Sequence, residues 1–237
     1  MLGFQKLINE LDVNNEKKVV SIIGAGGKTT LMYALAEFYA RAGRNVLVST
    51  TTHIRKPDPS LLVENVSELR ECWAEGKYGV AGQAVKGEKL KSLSEKMLDA
   101  YMDEAEVVLL EADGAKEFPC KVPNETEPVI VAETNVILMV LGLDALGKRM
   151  RDVCFRLELA MDLLEEDRDH SMTEEDFIMI VKNQLDHLRA QKVLDGSVQF
   201  LLILNKCETK KQEKQGNSIL QALNKEENCF GFLTKLK

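Results

Sequence analysis

The run Gly24-Ala25-Gly26-Gly27-Lys28-Thr29-Thr30 places three glycines, one amine and two hydroxyls within seven residues. Glycines permit backbone angles that turn successive N–H groups toward one point, so such a turn forms a nest for an anion. A helix beginning near Lys28 adds free N–H groups and the positive end of its dipole. Lys28 supplies a full charge for the β- and γ-phosphates of a nucleotide, and the Thr29 hydroxyl an oxygen ligand for Mg²⁺. The general phosphate-loop pattern is G-x-x-x-x-G-K-[ST]. Its second half, Gly27-Lys28-Thr29, is intact, but Ile22 stands where the first glycine belongs, leaving the shorter G-x-x-G-K-T-T. Gly24, Ala25, Gly26, Gly27, Lys28, Thr29 and Thr30 are the expected contacts to ATP or GTP.

Three other segments could complete a site. Val107-Val108-Leu109-Leu110 runs into Glu111-Ala112-Asp113-Gly114, an apolar strand ending in carboxylates, the oxygen ligands Mg²⁺ favours. Glu111 and Asp113 share a face if the strand continues that far, so one could orient the metal and the other a water nucleophile. That makes Lys28, Glu111 and Asp113 the expected catalytic set and Thr29, Glu111 and Asp113 the expected metal set; the alternative is a pair of turn caps at Asp113-Gly114. Ser49-Thr50-Thr51-Thr52-His53 closes another apolar run. Its side chains either face a ligand crevice, with His53 a candidate base, or are ordinary strand formers. Phe200-Leu201-Leu202-Ile203-Leu204 leads into Asn205-Lys206-Cys207-Glu208, similar to the N-K-x-D element of GTP-binding proteins with Glu in place of Asp. The similarity implies that Asn205, Lys206 and Glu208 attend the base; a solvated turn is the alternative.

The elements that must carry these groups alternate along the chain. Gly3 to Leu11 reads as an amphipathic helix followed by a polar turn at Asn14-Asn15. Lys18 to Ile23 reads as a buried strand, Thr29 to Ala42 as a helix closed by Gly43, and Asn45 to Ser49 as a second strand. Strand, glycine turn, helix, strand is a βαβ unit with a right-handed crossover and a parallel sheet. Helices are expected at Val66 to Ala74 and Leu90 to Met102, and strands at Tyr78 to Val85, Val107 to Glu111 and Asn135 to Leu141. Arg149 to Leu164 and Thr173 to Gln191 alternate at helical spacing. Gln199 to Leu204, Lys211 to Leu223 and Cys229 to Leu233 read as strand, helix and strand. The acidic stretch Glu165 to Asp176 reads as a solvated link with Ser171 and Glu174 in a capping box rather than as a metal site. The expected fold is α/β, a mostly parallel sheet with helices on both faces, in the three-layer manner of P-loop NTPases. The expected organisation is one nucleotide-binding domain over 1–237 with a mainly helical segment at about 145–195.

Taken together, these stretches resemble the YqeC family, described as accessory proteins of selenium-dependent molybdenum hydroxylases. The resemblance rests on Ile23 to Thr30, on Val48-Ser49-Thr50-Thr51-Thr52-His53, and on Glu111-Ala112-Asp113-Gly114-Ala115-Lys116. The last continues through Pro119, Lys121 and Pro123 to Glu127-Pro128-Val129, and Asn205-Lys206 fits a late element. It implies a P-loop fold and a role in maturing a molybdenum enzyme or handling its cofactor. Lys116 and Lys121, beside the acidic strand end, are candidates to contact a second anionic ligand such as a pterin phosphate.

Composition narrows the setting. The 237 residues include 45% hydrophobic and 29% charged side chains, ordinary globular usage. A net charge of −7 argues against nucleic acid or an anionic membrane as partner. The longest apolar stretch, Val136 to Leu143, is too short to span a bilayer, and the amino terminus lacks the pattern of a secretory signal. Five cysteines without a C-x-x-C pair suggest reduced thiols, hence a cytoplasmic protein without structural zinc. Three functions remain in view: a Mg²⁺-dependent NTPase in an accessory role, an ATP-dependent ligase like the Mur ligases, and a nucleotide-gated binding module without turnover. A homodimer across the nucleotide face is expected by fold-level analogy alone.

Overall fold

The computed structural model describes residues 2–12, 16–85 and 87–236. The turn expected at Asn14-Asn15 lies outside them. The first half runs through α1 (Leu2–Leu11), β1 (Lys18–Gly24), α2 (Lys28–Arg41), β2 (Val46–Thr50), β3 (His53–Arg55), β4 (Leu62–Val63), α3 (Val66–Ala74), β5 (Gly79–Ala81), β6 (Gln83–Ala84), β7 (Lys89–Lys91), α4 (Glu95–Glu104) and β8 (Val107–Glu111). The second half holds β9 (Cys120–Lys121), β10 (Val136–Gly142), α5 (Met150–Val153), β11 (Cys154–Phe155), α6 (Leu157–Leu164), α7 (Glu174–Ala190), β12 (Gln199–Asn205), α8 (Lys210–Glu227) and β13 (Phe230–Leu233).

Among the described residues, eight strands form one all-parallel sheet in the order β13-β12-β10-β1-β8-β2-β5-β4. Its central strands are buried throughout and mostly apolar because helices cover both faces. Val20 and Ile22 of β1 pack with Leu7 and Ile8 of α1 and Leu31 and Leu35 of α2. Val19, on the opposite face, joins Leu69 of α3 and Leu98 of α4. Ile23 on that same face meets Phe177 and Ile180 of α7 and Ile219 of α8. The result is the three-layer α/β sandwich that the sequence implies. The step from β1 to β2 crosses on the α2 face, and helical steps in the other direction cross on the opposite face, as right-handed connections require. The carboxyl ends of β1, β8 and β10 therefore meet where the direction of winding reverses, the place where such sheets bind ligands.

Several elements differ from their sequence reading. The single strand expected over Tyr78 to Val85 divides at Gly82 into β5, in the main sheet, and β6, in a small antiparallel sheet with β7 and β3. A side chain at Gly82 would press within 2.9 Å of Leu90 Cβ, so the glycine lets the two sheets part there. The helix expected from Leu90 begins only at Glu95, because Lys89-Leu90-Lys91 alternates with period two and buries Leu90 as strand β7. The helix expected over Arg149 to Leu164 splits into α5, β11 and α6, with Arg156 left-handed at φ 67°. The capping box sits two residues later than Ser171 and Glu174: Thr173 caps α7 and Asp176 reaches back to it.

Candidate functional site

The glycine turn lies between β1 and α2, but most of its leading amides are already committed to protein. Gly24 N–H donates to Asp113 Oδ2 at 2.9 Å, Ala25 N–H to Val140 O at 2.8 Å and Gly26 N–H to Phe118 O at 3.0 Å. The nest expected of the whole run thus narrows to its second half. Leu31 N–H is the first to close a helical bond, onto Gly27 O at 2.9 Å. No acceptor is recorded among the described residues for the amides of Lys28, Thr29 and Thr30, and Gly27 makes no side-chain cap. These open donors at the head of α2 form an anion site of the kind helix dipoles favour.

Lys28 itself is buried, and its amine is held by acids rather than directed to solvent. It donates to Gly24 O at 2.6 Å and lies 3.0 Å from Asp113 Oδ1 and 3.7 Å from Glu111 Oε1. The Asp113 contact is an ion pair outside hydrogen-bond alignment, so Oδ1 is buried without a hydrogen-bond donor. Burial works to lower the Lys28 amine, yet the Asp113 and then the Glu111 carboxylates outweigh it and hold the amine above its ordinary value. Burial raises the Glu111 carboxyl, and the Lys28 amine and Thr29 hydroxyl only partly offset it. Thr29 Oγ1 donates to Glu111 Oε2 at 2.7 Å, so the hydroxyl and carboxylate proposed from sequence as metal ligands are neighbours. Thr30 stands one residue further along α2, half-buried.

Asp113 is the hub of a longer charge chain. Lys121, 1% exposed, donates to Asp113 Oδ2 at 2.8 Å, Gly114 O at 2.8 Å and Glu127 Oε2 at 3.1 Å. Its three ammonium protons are spent on protein, which turns the expected ligand contact into a structural brace. Glu127 in turn pairs with Arg156, which also donates to Val122 O at 3.2 Å. Lys116 remains exposed, 5.2 Å above the ring of Phe155, which stacks on Phe118 at 6.1 Å. Glu127 stood in a recognisable segment but without a role, and Arg156 carried no local signal at all.

The threonine run proves to be backbone support. Ser49 Oγ donates to Ala81 O, Thr50 Oγ1 to Glu111 O and Thr51 Oγ1 to Val129 O, each at 2.8 Å. His53 is exposed on β3 and pairs with Lys91 of β7. A surface depression lined by Phe4, Ala34, Phe38 and Arg41 lies along the far half of α2, away from the glycine turn.

Asn205 closes the turn from the other side. Its amide donates to Gly26 O at 3.0 Å, and Oδ1 accepts from Thr234 Oγ1 and Leu236 N–H, each at 2.9 Å. Lys206, left-handed at φ 58°, turns its amine to Asp144 Oδ2 at 3.1 Å, an acid the sequence did not single out. Glu208 is exposed, its N–H donating to Gln212 at 3.0 Å near the start of α8. Asn205→Ala leaves partners on two segments, the glycine turn and the stretch 234–236, unsatisfied, and a stability loss of about 2–3 kcal/mol is expected. The shift of the urea midpoint measures it, and an unchanged midpoint contradicts this bracing role.

Among the described residues no three or more His, Cys, Asp or Glu side chains are grouped to hold a metal, so a cation at Thr29 and Glu111 would need phosphate and water for its remaining ligands. No described helix is long and apolar enough to cross a membrane. A family model described as YqeC protein matches residues 20–158. The chain is also 33% identical over 158 residues to a protein of Escherichia coli (strain K12) described as uncharacterized protein YqeC. That alignment takes in 61% of this chain and 59% of the relative, so the chain spans less than two thirds of the relative's length.

Proposed function

The chain belongs to the YqeC family, and on that premise we propose that it binds and hydrolyses a magnesium nucleoside triphosphate, ATP or GTP, at Gly24–Thr30. Its client is a selenium-dependent molybdenum hydroxylase or that enzyme's cofactor, which it helps to mature. The client half of this reading rests on the family resemblance. The nucleotide half rests on one observation, the uncommitted amides of Lys28, Thr29 and Thr30 beside a lysine and a hydroxyl–carboxylate pair.

In this reading the Lys28 amine leaves Asp113 for the β- and γ-phosphates, which carry more charge than the carboxylate it gives up. Thr29 and Glu111, already 2.7 Å apart, would hold Mg²⁺, leaving Asp113 to its bonds with Gly24 and Lys121. Bound Mg²⁺ would neutralise charge on the phosphates and on Glu111. Once Lys28 moves, Asp113 Oδ1 faces the phosphate side and orients the attacking water. The base lies toward Asn205–Glu208, where Asn205 braces the loop.

Calorimetric titration with Mg-ATP and Mg-GTP, followed by phosphate release, tests the proposal. Binding of at least one nucleotide with slow, Mg²⁺-dependent release is expected. Binding without release removes the hydrolytic half, and release only when an acid and an amine are supplied points to a ligase.

Glu111→Gln separates stability from function. The folded protein disfavours the ionised carboxyl through burial, so it holds the Glu111 proton to higher pH than the unfolded chain does. Stability contributed by that group is present below the ordinary carboxylate range and lost as pH rises through the raised value. At pH 8 the glutamine variant is expected to be at least as stable as the parent, while Mg²⁺-dependent nucleotide binding falls. A variant less stable at pH 8 than at pH 5, relative to the parent, contradicts this assignment.

A further inference from the structure

Four ion pairs in series connect the phosphate lysine to a half-buried arginine: Lys28 with Asp113, Asp113 with Lys121, Lys121 with Glu127, and Glu127 with Arg156. With Glu111 included, the cluster holds Lys28, Lys121 and Arg156 against Glu111, Asp113 and Glu127, equal numbers of each sign. Each interior member is shared between two opposite charges, so a gain on one side is a loss on the other. The shared groups are withdrawn from water: Asp113 and Lys121 side chains are each 1% exposed, Arg156 15% and Glu127 19%. Screening is weak at such depth, and neighbours feel one another strongly.

The backbone is bent to complete this series. Arg156 interrupts a run of helical spacing, adopting φ 67° immediately before α6. A left-handed arginine costs about 1–2 kcal/mol, and such strain persists where the surroundings fix it. Here the guanidinium is fixed by Glu127, Val122 O and the ring of Phe155, 5.2 Å away.

We infer that Lys121, Glu127 and Arg156 are positioning residues that set, through Asp113, how firmly Lys28 is withheld from phosphate. This rests on the nucleotide reading above. Removing Arg156 leaves Glu127 to draw Lys121 toward itself, so Asp113 depends more on Lys28 and the lysine is harder to take. Removing the Glu127 charge does the reverse: Lys121 turns wholly to Asp113, and Lys28 is released more easily. The series therefore carries a sign that alternates from one member to the next. It also gives the site an external handle, since an acidic group of a partner engaging Arg156 would act like its removal and loosen the nucleotide.

The test is the affinity of the full chain for Mg-GTP and Mg-ATP in Arg156→Gln, Glu127→Gln and the double variant, each with a thermal melt. Arg156→Gln should weaken binding and Glu127→Gln should strengthen it, each by roughly three- to tenfold, the scale of coupling within one charge network. The melt of Glu127→Gln should fall even as its affinity rises, an opposition that damage to the fold does not produce. In the double variant the Arg156→Gln effect should vanish, because without a carboxylate at 127 nothing passes it on. Equal losses in both single variants point to damage to the fold, and an Arg156→Gln effect that persists undiminished in the double variant leaves only general electrostatics; either result overturns the relay. A parent chain that binds neither nucleotide overturns the nucleotide reading and the relay with it.

Discussion

Lys28→Ala is expected to weaken Mg-nucleotide binding by about a hundredfold. An ammonium about 4 Å from a phosphate charge contributes roughly 4 kcal/mol at an effective dielectric near 20. The full value is not lost, because the wild-type amine must first leave Asp113, 3.0 Å away, whereas the variant has no such contact to break. A net loss of about 2–3 kcal/mol remains, which is the predicted factor. The same substitution should lower stability by about 3 kcal/mol, since Glu111 and Asp113 stay buried without their shared cation. Gly24 N–H and Lys121 still hold Asp113, so the variant should fold. Isothermal titration and a melt on the same sample read both effects, and retention of tight binding by a folded Lys28→Ala protein contradicts the assignment of this amine.

The largest loss of stability is expected from Gly26→Ala. Gly26 sits at φ 84°, and a Cβ there would lie 2.6 Å from Gly142 Cα at the end of the neighbouring strand. The left-handed backbone costs about 1–2 kcal/mol. The overlap cannot be relieved by a side-chain rotation, because the clashing atoms are main chain and β1 is locked to β10 over five paired residues. A total above about 4 kcal/mol is predicted, in the range that marks a core or backbone defect. Gly43→Ala is the control: φ is 78°, but nothing lies within 4 Å of the added carbon. It should cost about 1 kcal/mol. Equal midpoints for the two variants in urea would mean that the close approach of the loop to β10 is not what the first glycine serves.

The frame was legible in the sequence because it is written locally. Lys18 to Ile23, Val107 to Glu111 and Gln199 to Leu204 are β-branched and aliphatic runs that meet polar or glycine punctuation, and each became a strand of the parallel sheet. The helix after Gly27 followed from its spacing and from Gly43. The short pieces were less visible: Lys89-Leu90-Lys91 gives only three residues of alternation, and although its partner β6 is near in the chain, its other partner β3 lies far before it. Arg156 is the same difficulty in sharper form. Its neighbours have helical spacing, but α5 stops at Val153 where Cys154 and Phe155 pair with Cys120 and Lys121, and the Arg156 guanidinium is held by Glu127, 29 residues away. The site divides likewise. The positions of Thr29, Glu111 and Asp113 follow from the ends of two strands, but the sequence cannot say that Asp113 is occupied by Gly24 and Lys121 while Glu111 faces Thr29. Nor can it say that Asn205 reaches Gly26 across 179 residues.

The claim on which the rest depends is that a triphosphate settles on the head of α2. Amide ¹H–¹⁵N shifts recorded with and without saturating Mg-GTP or Mg-ATP address it residue by residue. Large downfield movements confined to Gly27, Lys28, Thr29 and Thr30, lost in Lys28→Ala, are predicted. Amides of those four residues that stay in place while any bound nucleotide perturbs some other surface would contradict it.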